Sequence, residues 1–245
     1  MAGVLSFCTT NLLLYFDIAI LMQMKAYHFI SSKYALEALK KNRLKISLLN
    51  DLNDPFELYG LDLSDPKHRI GFEQFKIQLS KRFGILCLSK SFDNPLLWSH
   101  YGDRHRGVAI EIEADSDFFM PISYEPEKIY LDIKRKLAGG GLTAGDAQLI
   151  LSTKFEQWKY ENELRIFCKL TDPPSDEGLH FYKFKDDVKP VRLILGALCK
   201  LSTDDIKSAL PKSTSIKVAK TQLAFDSYSV LLNQSSPELE ISSGD

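Results

Sequence analysis

The chain has 245 residues, of which 44% are hydrophobic and 26% are charged. This length and this balance are typical of a globular domain with its own apolar core, and they argue against a disordered chain or a bundle of membrane helices. The 31 Lys and Arg residues nearly balance the 32 Asp and Glu residues, so no overall electrostatic field holds the protein to nucleic acid or to an anionic membrane.

The cysteines and the N-terminal stretch bear on where the protein resides. The four cysteines lie far apart, without the short spacing of a zinc site, which favours a reducing cytoplasm and buried, inert thiols. Residues 1–23 are apolar, but they contain Asp17 and have no Lys or Arg before the apolar part. Since signal and anchor segments have a different charge pattern, we expect an N-terminal extension outside the fold and no stable membrane association.

In chain order, the first half of the sequence alternates short strands with two helices. Strand patterns occur in AYHFI, RLKIS, RFGILCLS and GVAIEIE, and the last of these places Glu111 and Glu113 on the face opposite its apolar residues. Helix patterns occur in KYALEALKK and after the Asn94-Pro95 pair. The polar loop LNDLNDPFE lies between the second and third strands.

The second half begins with a glycine-rich connection and then predicts one long helix from Ala147 to Tyr160, with Lys154, Phe155 and Trp158 on its core-facing side. A strand in ELRIFCKL follows, with HFYKF as its expected hairpin partner. VRLILGALC, SIKVAKTQL and YSVLL predict further strands, and STDDIKSAL predicts a capped helix.

Strands outnumber helices, and many strands follow one another without a helix between them. This pattern predicts an α+β fold with a mixed, largely antiparallel sheet and flanking helices. We expect a single domain over residues 24–233, followed by a loose C-terminal tail over residues 234–245, which is rich in Ser and acidic residues. The oligomeric state stays open.

Two glutamates and an arginine in YENELRI are the sharpest chemical feature. Glu161, Glu163 and Arg165 are spaced by two, so on a strand their side chains share one face. Two close carboxylates push their pKa values apart, and Arg165 keeps one of them ionised as a base or an electrostatic stabiliser. An ordinary ladder of surface ion pairs is the alternative. If Glu163 is catalytic, replacing it with Gln should reduce turnover with little change in stability.

Three other segments supply candidate ligand-binding residues. His28 ends a strand, where its ring can donate a hydrogen bond to a ribose hydroxyl, shuttle a proton, or tie the strand to a neighbouring carbonyl. The residues that follow the buried strand or lie in the polar loop and the short helix are further candidates. They are Ser89, Ser91, Asn94, Asn53, Asp54, Glu57, Trp98, His100 and Tyr101.

Each of these candidates also has a structural interpretation. Asn53 and Asp54 suit an Asx turn stiffened by Pro55, although Asp54 and Glu57 can also face a site or bind a divalent cation. Trp98 is expected in the core. His100 and His105 can reach a phosphate beside Arg104 and Arg106, whereas a solvated basic turn is the alternative for the two arginines. The listed candidates do not form a recognisable metal motif.

Five pieces occur in order: YHF, LNDPFE, SKSFDN, LWSHYGDRHRGVAIE and WKYENELRI. Together they resemble a bacterial family, domain of unknown function 2971, from about Tyr27 to Arg165. The opening YH followed by Ser and a leucine-rich helix also resembles ADP-ribosyltransferase-like folds, including toxins and phage-defence enzymes. That second resemblance implies NAD as substrate, with His28 orienting the nicotinamide ribose and Glu163 stabilising an oxocarbenium-like transition state. Nucleic acid or protein is then the possible acceptor, and no cofactor is assigned.

Two other functions remain open from the sequence. A metal-dependent nuclease would use Asp54, Glu57, Glu161 and Glu163. A non-catalytic binding module would instead recognise a ligand or partner through Trp98, His100, Arg104 and Arg106. For the transferase, His28, Ser91 and Glu163 are expected to converge on one cleft, with Asp54, Glu57, His100 and Arg165 around it.

Overall fold

A ten-stranded mixed sheet lies at the centre of the protein, as seen in a computed structural model. The structure describes residues 22–132, 136, 139, 141–170, 174, 178–185 and 187–243. The extension expected at residues 1–23 therefore lies almost wholly outside the described residues. No helix in the described part of the chain has the length and apolar character needed to cross a membrane.

The strands alternate irregularly with short helices along the chain. The strands are β1 (Gln23–Ile30), β2 (Arg43–Lys45), β3 (Ser47–Leu48), β4 (Phe83–Ser89), β5 (Val108–Asp115), β6 (Met120–Pro121), β7 (Ser123–Glu125), β8 (Thr153–Phe155), β9 (Glu163–Lys169), β10 (Phe181–Lys183), β11 (Val188–Leu195), β12 (Ser215–Leu223), β13 (Val230–Leu232) and β14 (Leu239–Ser242). The α-helices are α1 (Ser32–Lys41), α2 (Pro66–Ser80), α3 (Pro95–His100), α4 (Ala144–Ser152) and α5 (Thr203–Ala209), and 3-10 turns cover Ser116–Phe118 and Glu156–Glu161.

The main sheet has the order β13-β12-β11-β5-β1-β4-β9-β6, with β14 added on β12 and β3 on β4. Its neighbours pair antiparallel, apart from the parallel pair β11 and β12. Two small sheets join β10 to β2 and β7 to β8. The fold is thus a single α+β domain with a mixed, mostly antiparallel sheet, as the sequence predicts.

The predicted alternation along β5 is confirmed and separates two cores. Val108, Ile110 and Ile112 join the main core, which also includes buried residues of α1 and α5. The opposite face holds a smaller core around Trp98. Glu111 lies on that opposite face and is nevertheless buried, because it pairs with Arg192 and with Lys25. A buried carboxylate needs such partners to offset its lost hydration.

The long helix predicted for residues 147–160 is wrong. Helix α4 ends at Ser152, and the chain then forms β8 and a 3-10 turn. Thr153 adopts an extended conformation (φ −101°, ψ 132°) and its hydroxyl donates to the Leu149 carbonyl at 2.7 Å. Strand β8 then pairs parallel with β7. Long-range pairing therefore overrides the helical spacing of the apolar residues here.

Three further expectations from the sequence differ from the structure: the start of β1, the partner of β10 and the C-terminal tail. Strand β1 begins at Gln23, three residues before the predicted AYHFI segment, because its first residues pair with β5. HFYKF contributes β10, which pairs with β2 and not with β9. The expected loose tail contains β14, which pairs with β12 and buries Ile241. Backbone pairing with β12 and the buried Ile241 side chain together hold this segment on the sheet.

Candidate functional site

Five charged side chains form a buried cluster at the start of β9. The ammonium nitrogen of Lys154 lies 2.6 Å from Glu161 Oε2, 3.2 Å from Glu163 Oε2 and 3.3 Å from Glu57 Oε2. The guanidinium of Arg165 donates from Nε to Glu163 Oε1 at 2.8 Å and from Nη2 to Glu57 Oε1 at 2.5 Å. All five side chains are less than a tenth exposed. The three carboxylates outnumber the two cations, so the cluster carries one net negative charge.

The five members reach the cluster from four local structures: the LNDPFE loop, β8, a 3-10 turn and β9. Glu163 and Arg165 lie two residues apart on β9, so the strand itself directs both side chains to one face. Lys154 is the central residue of β8. Glu161 ends the 3-10 turn before β9, and Asn162 follows with left-handed backbone angles. The sequence therefore predicted the meeting of Glu161 with Glu163 and Arg165, but it was wrong to place Glu161 on the strand.

Glu57 comes from the LNDPFE loop, more than a hundred residues from Arg165. The backbone N–H of Glu57 donates to the Asp54 carbonyl, and Asp54 Oδ1 accepts from the Phe56 N–H at 2.9 Å. The Asx turn is therefore made by Asp54. Asn53, for which the sequence favoured the turn, instead lines the cavity and donates to the Tyr101 hydroxyl. The turn gives the loop a fixed shape, and Glu57 is thereby held against Arg165.

The electrostatics of the cluster separate its glutamates. Burial raises the pKa of Glu161, and Lys154 and Tyr101 only partly offset this effect. Burial would also raise the pKa of Glu163, but the Arg165 guanidinium and then Lys154 outweigh it and hold that pKa below its ordinary value. Glu163 is therefore the firmly ionised carboxylate, while Glu161 is the more basic one. Burial and the unequal contacts with Arg165 and Lys154, more than the mutual repulsion of the two carboxylates, separate their pKa values.

A cavity of about 300 Å³ opens beside the cluster. Glu57, Lys154, Glu161 and Glu163 form its charged wall, and His28 also lines it. Its volume is at the lower end of the range for small-molecule sites. The rest of the lining includes Tyr27, Asn53, Cys87, Ser89 and Tyr101.

His28 lines this cavity as a neutral ring. Burial lowers its pKa, and the hydrogen bond with the Cys87 carbonyl only partly offsets this. Because that carbonyl can only accept, the ring nitrogen Nδ1, 2.9 Å away, must carry the proton. Nε2 is then left as a hydrogen-bond acceptor. From the sequence, the ring was expected to donate either to a ribose hydroxyl or to a neighbouring carbonyl. In the structure its N–H donates to the Cys87 carbonyl.

Two tyrosines fix the glutamates at the edge of the cavity. The Tyr101 hydroxyl donates to Glu161 Oε1 at 2.5 Å, and it accepts from the Asn53 side-chain amide at 3.3 Å. The Tyr124 hydroxyl accepts from the backbone N–H of Glu163 at 2.8 Å. Burial raises the pKa of Tyr124 to about 12. Tyr101 thus holds the carboxylate of Glu161, whereas Tyr124 holds the backbone of Glu163 at the start of β9.

The predicted site residues that follow β4 are divided between two pockets. Ser91 and Asn94 line a separate, open pocket, where Asn94 caps α3. Ser89 lines the cavity and its hydroxyl accepts from the Ser91 N–H at 3.3 Å. Of the three residues expected in one cleft, His28 and Glu163 meet there and Ser91 does not, because the chain turns away after β4.

The expected outer shell is also divided. Arg165 and Glu57 belong to the cluster, whereas Asp54 lines a neighbouring cavity. His100 is exposed, with its ring beside Tyr101 and Tyr160. Trp98 is fully buried, as expected, and its Nε1–H donates to the Phe92 carbonyl at 2.6 Å.

No protein-family model, curated protein or solved structure matches this chain.

The basic turn after α3 does not contribute to the cavity. Asp103, Arg104 and His105 all have positive φ values, between 48° and 65°. The His105 ring stacks on Trp98, and the Arg106 carbonyl accepts from the Ser32 hydroxyl at 2.6 Å. The turn thus connects α3 to α1 and to the core.

Lys154 is the site residue that the sequence did not indicate. The sequence analysis assigned it to the core-facing side of a helix. A lysine is rarely buried without an ionic partner, so its place on that face was the signal for a buried ion pair. Cys87 also lines the cavity. Burial raises the pKa of its thiol well above the ordinary value, so this side chain is a neutral part of the wall and not a nucleophile.

The described residues contain no group of His, Cys, Asp or Glu side chains arranged to hold a metal ion. Asp54, one of the four nuclease candidates, lies outside the cluster. The other three, Glu57, Glu161 and Glu163, converge, but the ammonium of Lys154 lies between them. The lysine thus supplies the positive charge that these carboxylates would otherwise take from a cation.

Proposed function

We propose that this protein binds NAD with its nicotinamide ribose in the cavity between His28 and Glu163, and that it cleaves the bond from the ribose to nicotinamide. ADP-ribose then passes to an acceptor or to water. The observation that carries the proposal is that a neutral histidine and a firmly ionised glutamate line the same cavity. The resemblance to ADP-ribosyltransferase-like folds supplies the identity of the substrate.

The charge of the cluster suits this reaction. The bond from the ribose C1′ to nicotinamide breaks with its electron pair leaving on the nicotinamide nitrogen, and positive charge develops on the ribose. One net negative charge in a buried, preorganised cluster stabilises that charge more than it stabilises the ground state. Arg165 holds Glu163 by two hydrogen bonds, from Nε and from Nη2, so little reorganisation is needed during the reaction.

The remaining groups have complementary roles. His28 Nε2 accepts a hydrogen bond from a ribose hydroxyl and so orients the sugar. Glu161, with its raised pKa, is the better proton acceptor of the two glutamates. It therefore takes the proton that the acceptor hydroxyl, amine or water loses when it bonds to C1′. Glu163 stays ionised throughout.

The test is release of nicotinamide from NAD by the wild-type protein and by Glu163→Gln, with and without cell extract to supply an acceptor. We expect turnover to fall about 100-fold or more in the variant, as is usual when a preorganised charge is removed. Because Glu163 contacts both cations, the variant should also lose stability. The small stability change suggested by the sequence is therefore no longer expected.

Glu111→Gln is the matched control, since Glu111 is also a buried glutamate held by an arginine and a lysine. It should lose stability to a similar degree and keep its turnover. Equal activities of the two variants would show that Glu163 acts only in folding. A wild-type protein that releases no nicotinamide in either condition would overturn the proposal.

A non-catalytic ligand-binding role is the second candidate. It is favoured by one observation: Glu57, Glu161 and Glu163 all already have cationic partners within the cluster. Calorimetry with NAD, set against calorimetry with magnesium or manganese, separates the candidates. Binding of NAD without turnover would favour the binding role, and heat with the metal alone would favour the nuclease.

A further inference from the structure

A second cavity, of about 520 Å³, shares Lys154 with the first but has a different character. Four aromatic rings line it: Phe56, Tyr59, Phe155 and Trp158. Phe56 is 67% exposed and Phe155 is 50% exposed. Large rings left open at a concave surface are typical of a binding site, since a folded protein otherwise covers such apolar area.

The walls of this cavity are held by the backbone. The parallel pairing of β7 with β8 places Glu125 beside Phe155. The N–H of Ile129 donates to the Gly60 carbonyl at 2.8 Å, which fixes the segment after β7 against the LNDPFE loop. A side chain at Gly60 would come within 2.8 Å of Thr153 Cγ2, so only glycine allows this close approach. The cavity is therefore largely preformed.

Its charges favour a positive ligand. Asp54, Glu125 and Glu127 line the cavity together with Lys128 and Lys154. The charge of Lys154 is already engaged by three buried carboxylates. The described lining therefore has three acidic side chains against two lysines, and Lys128 is the one of these two lysines that lies outside the buried cluster.

The rings already accept cations from the protein itself. The Lys154 ammonium lies 5.0 Å from the centre of the Trp158 ring, and the Lys128 ammonium lies 5.7 Å from the centre of the Phe56 ring. Both distances are within the range of cation–π attraction. The aromatic faces are therefore presented to positive charge, and Lys128 itself is exposed to solvent.

We propose that this aromatic cavity binds an organic cation that carries N–H donors, of the alkylammonium or guanidinium class. The rings contact the cation and its carbon chain, while the carboxylates of Asp54, Glu125 and Glu127 accept its hydrogen bonds. The ligand takes the place of the Lys128 ammonium over Phe56. The proposal goes beyond the cleavage of NAD and does not depend on it.

The test is calorimetry with two probes, spermidine for a free polyamine and Nα-acetylarginine amide for the arginine of a peptide. Phe56→Leu should weaken binding by about fivefold to tenfold, which is within the range of one cation–π contact. Lys128→Met should strengthen binding by about threefold or more, because it removes a competing cation. An anionic ligand would show the opposite response to Lys128→Met.

Lys33→Met is the matched control, because Lys33 is exposed, lies over the Tyr34 ring at 5.5 Å and is not part of the lining. It changes the net charge equally and should leave the affinity unchanged. The proposal is supported if either probe binds more weakly to Phe56→Leu and more tightly to Lys128→Met. The probe that binds identifies the source of the cation. The proposal is overturned if neither probe binds, or if Lys128→Met weakens binding. Phe155→Leu gives a second, independent test, since that ring is also half exposed.

Discussion

Lys154 is the residue on which the buried cluster depends most, because its single ammonium contacts three carboxylates. Burial by itself would lower the pKa of Lys154, but the three glutamates outweigh burial and raise this pKa above its ordinary value. Buried charges are stable only when paired, and removing one partner costs far more than the net value of the pair. The cluster is therefore sensitive to any change at this position.

We predict that Lys154→Met lowers the free energy of unfolding by about 3–5 kcal/mol at pH 7. Burial already raises the pKa of Glu161, and Lys154 is the main group that opposes this effect. Without the ammonium, the folded-state pKa of Glu161 therefore rises further above its unfolded value. The folded variant then binds more protons than the unfolded chain, so its stability falls as the pH rises and recovers as the pH falls. Urea unfolding at pH 5, 6 and 7 should show the gap to the wild type narrowing toward pH 5.

Lys25→Met is the control for this experiment. Lys25 also pairs with a buried glutamate, Glu111, but its own side chain is 53% exposed and Arg192 remains as a partner. Its removal should cost less than about 1 kcal/mol. If the difference in free energy of unfolding between Lys154→Met and the wild type is the same at pH 5 and pH 7, the assignment of charges in the cluster is contradicted.

At the scale of elements, α4 determines where Lys154 lies, because β8 continues directly from that helix. The helix begins with a capping box in which the Thr143 hydroxyl accepts from the Asp146 N–H and Asp146 accepts from the Thr143 N–H. Lys136 adds an ion pair to Asp146 at 2.8 Å. The start of α4 is thus defined by side chains, whereas its end is defined by the pairing of β8 with β7.

We predict that Thr143→Ala lowers stability by about 1 kcal/mol, the usual cost of losing a helix cap. Ser202→Ala provides a comparison, since Ser202 and Asp205 form the same capping box at α5. Both losses should appear as a lower midpoint in urea with an unchanged slope. An unchanged midpoint for Thr143→Ala would mean that tertiary contacts alone hold the start of α4.

On the scale of the whole molecule, the described structure is already paired at Met22, five residues before Tyr27. The Met22 carbonyl accepts from the Ser116 N–H at 3.0 Å, and β1 pairs with β5 from Gln23 onward. Strand β1 is central in the sheet, between β5 and β4. Losing its first residues therefore removes pairing from the middle of the fold.

We predict that a protein truncated to begin at Met22 keeps the melting temperature of the full chain. One that begins at Tyr27 loses four paired residues and the ion pair between Lys25 and Glu111. Its melting temperature should fall by several degrees, as expected for a loss of about 1–2 kcal/mol. Thermal unfolding followed by circular dichroism measures both, and equal values would place the boundary later in the chain.

Local patterns in the sequence determined the fold class, the two faces of β5 and the shared face of Glu163 and Arg165. These features follow from the two-residue period of a strand, which neighbouring residues encode by themselves. The left-handed turn at Asn162 and the early end of α4 were not accessible in this way. The apolar spacing over residues 147–160 also fits a continuous helix. Only the pairing of β8 with β7 decides that the helix ends at Ser152.

The site itself was decided by the tertiary structure. The cluster joins a loop to two strands: Glu57 lies in the LNDPFE loop, Lys154 in β8 and Arg165 in β9. Strands β8 and β9 belong to different sheets, so no local period relates these residues. Burial then makes their mutual pairing obligatory, because an unpaired charge in the core loses its hydration without compensation. The sequence by itself therefore determined which residues can carry the chemistry, and the order of strands in the sheet decided which of them meet.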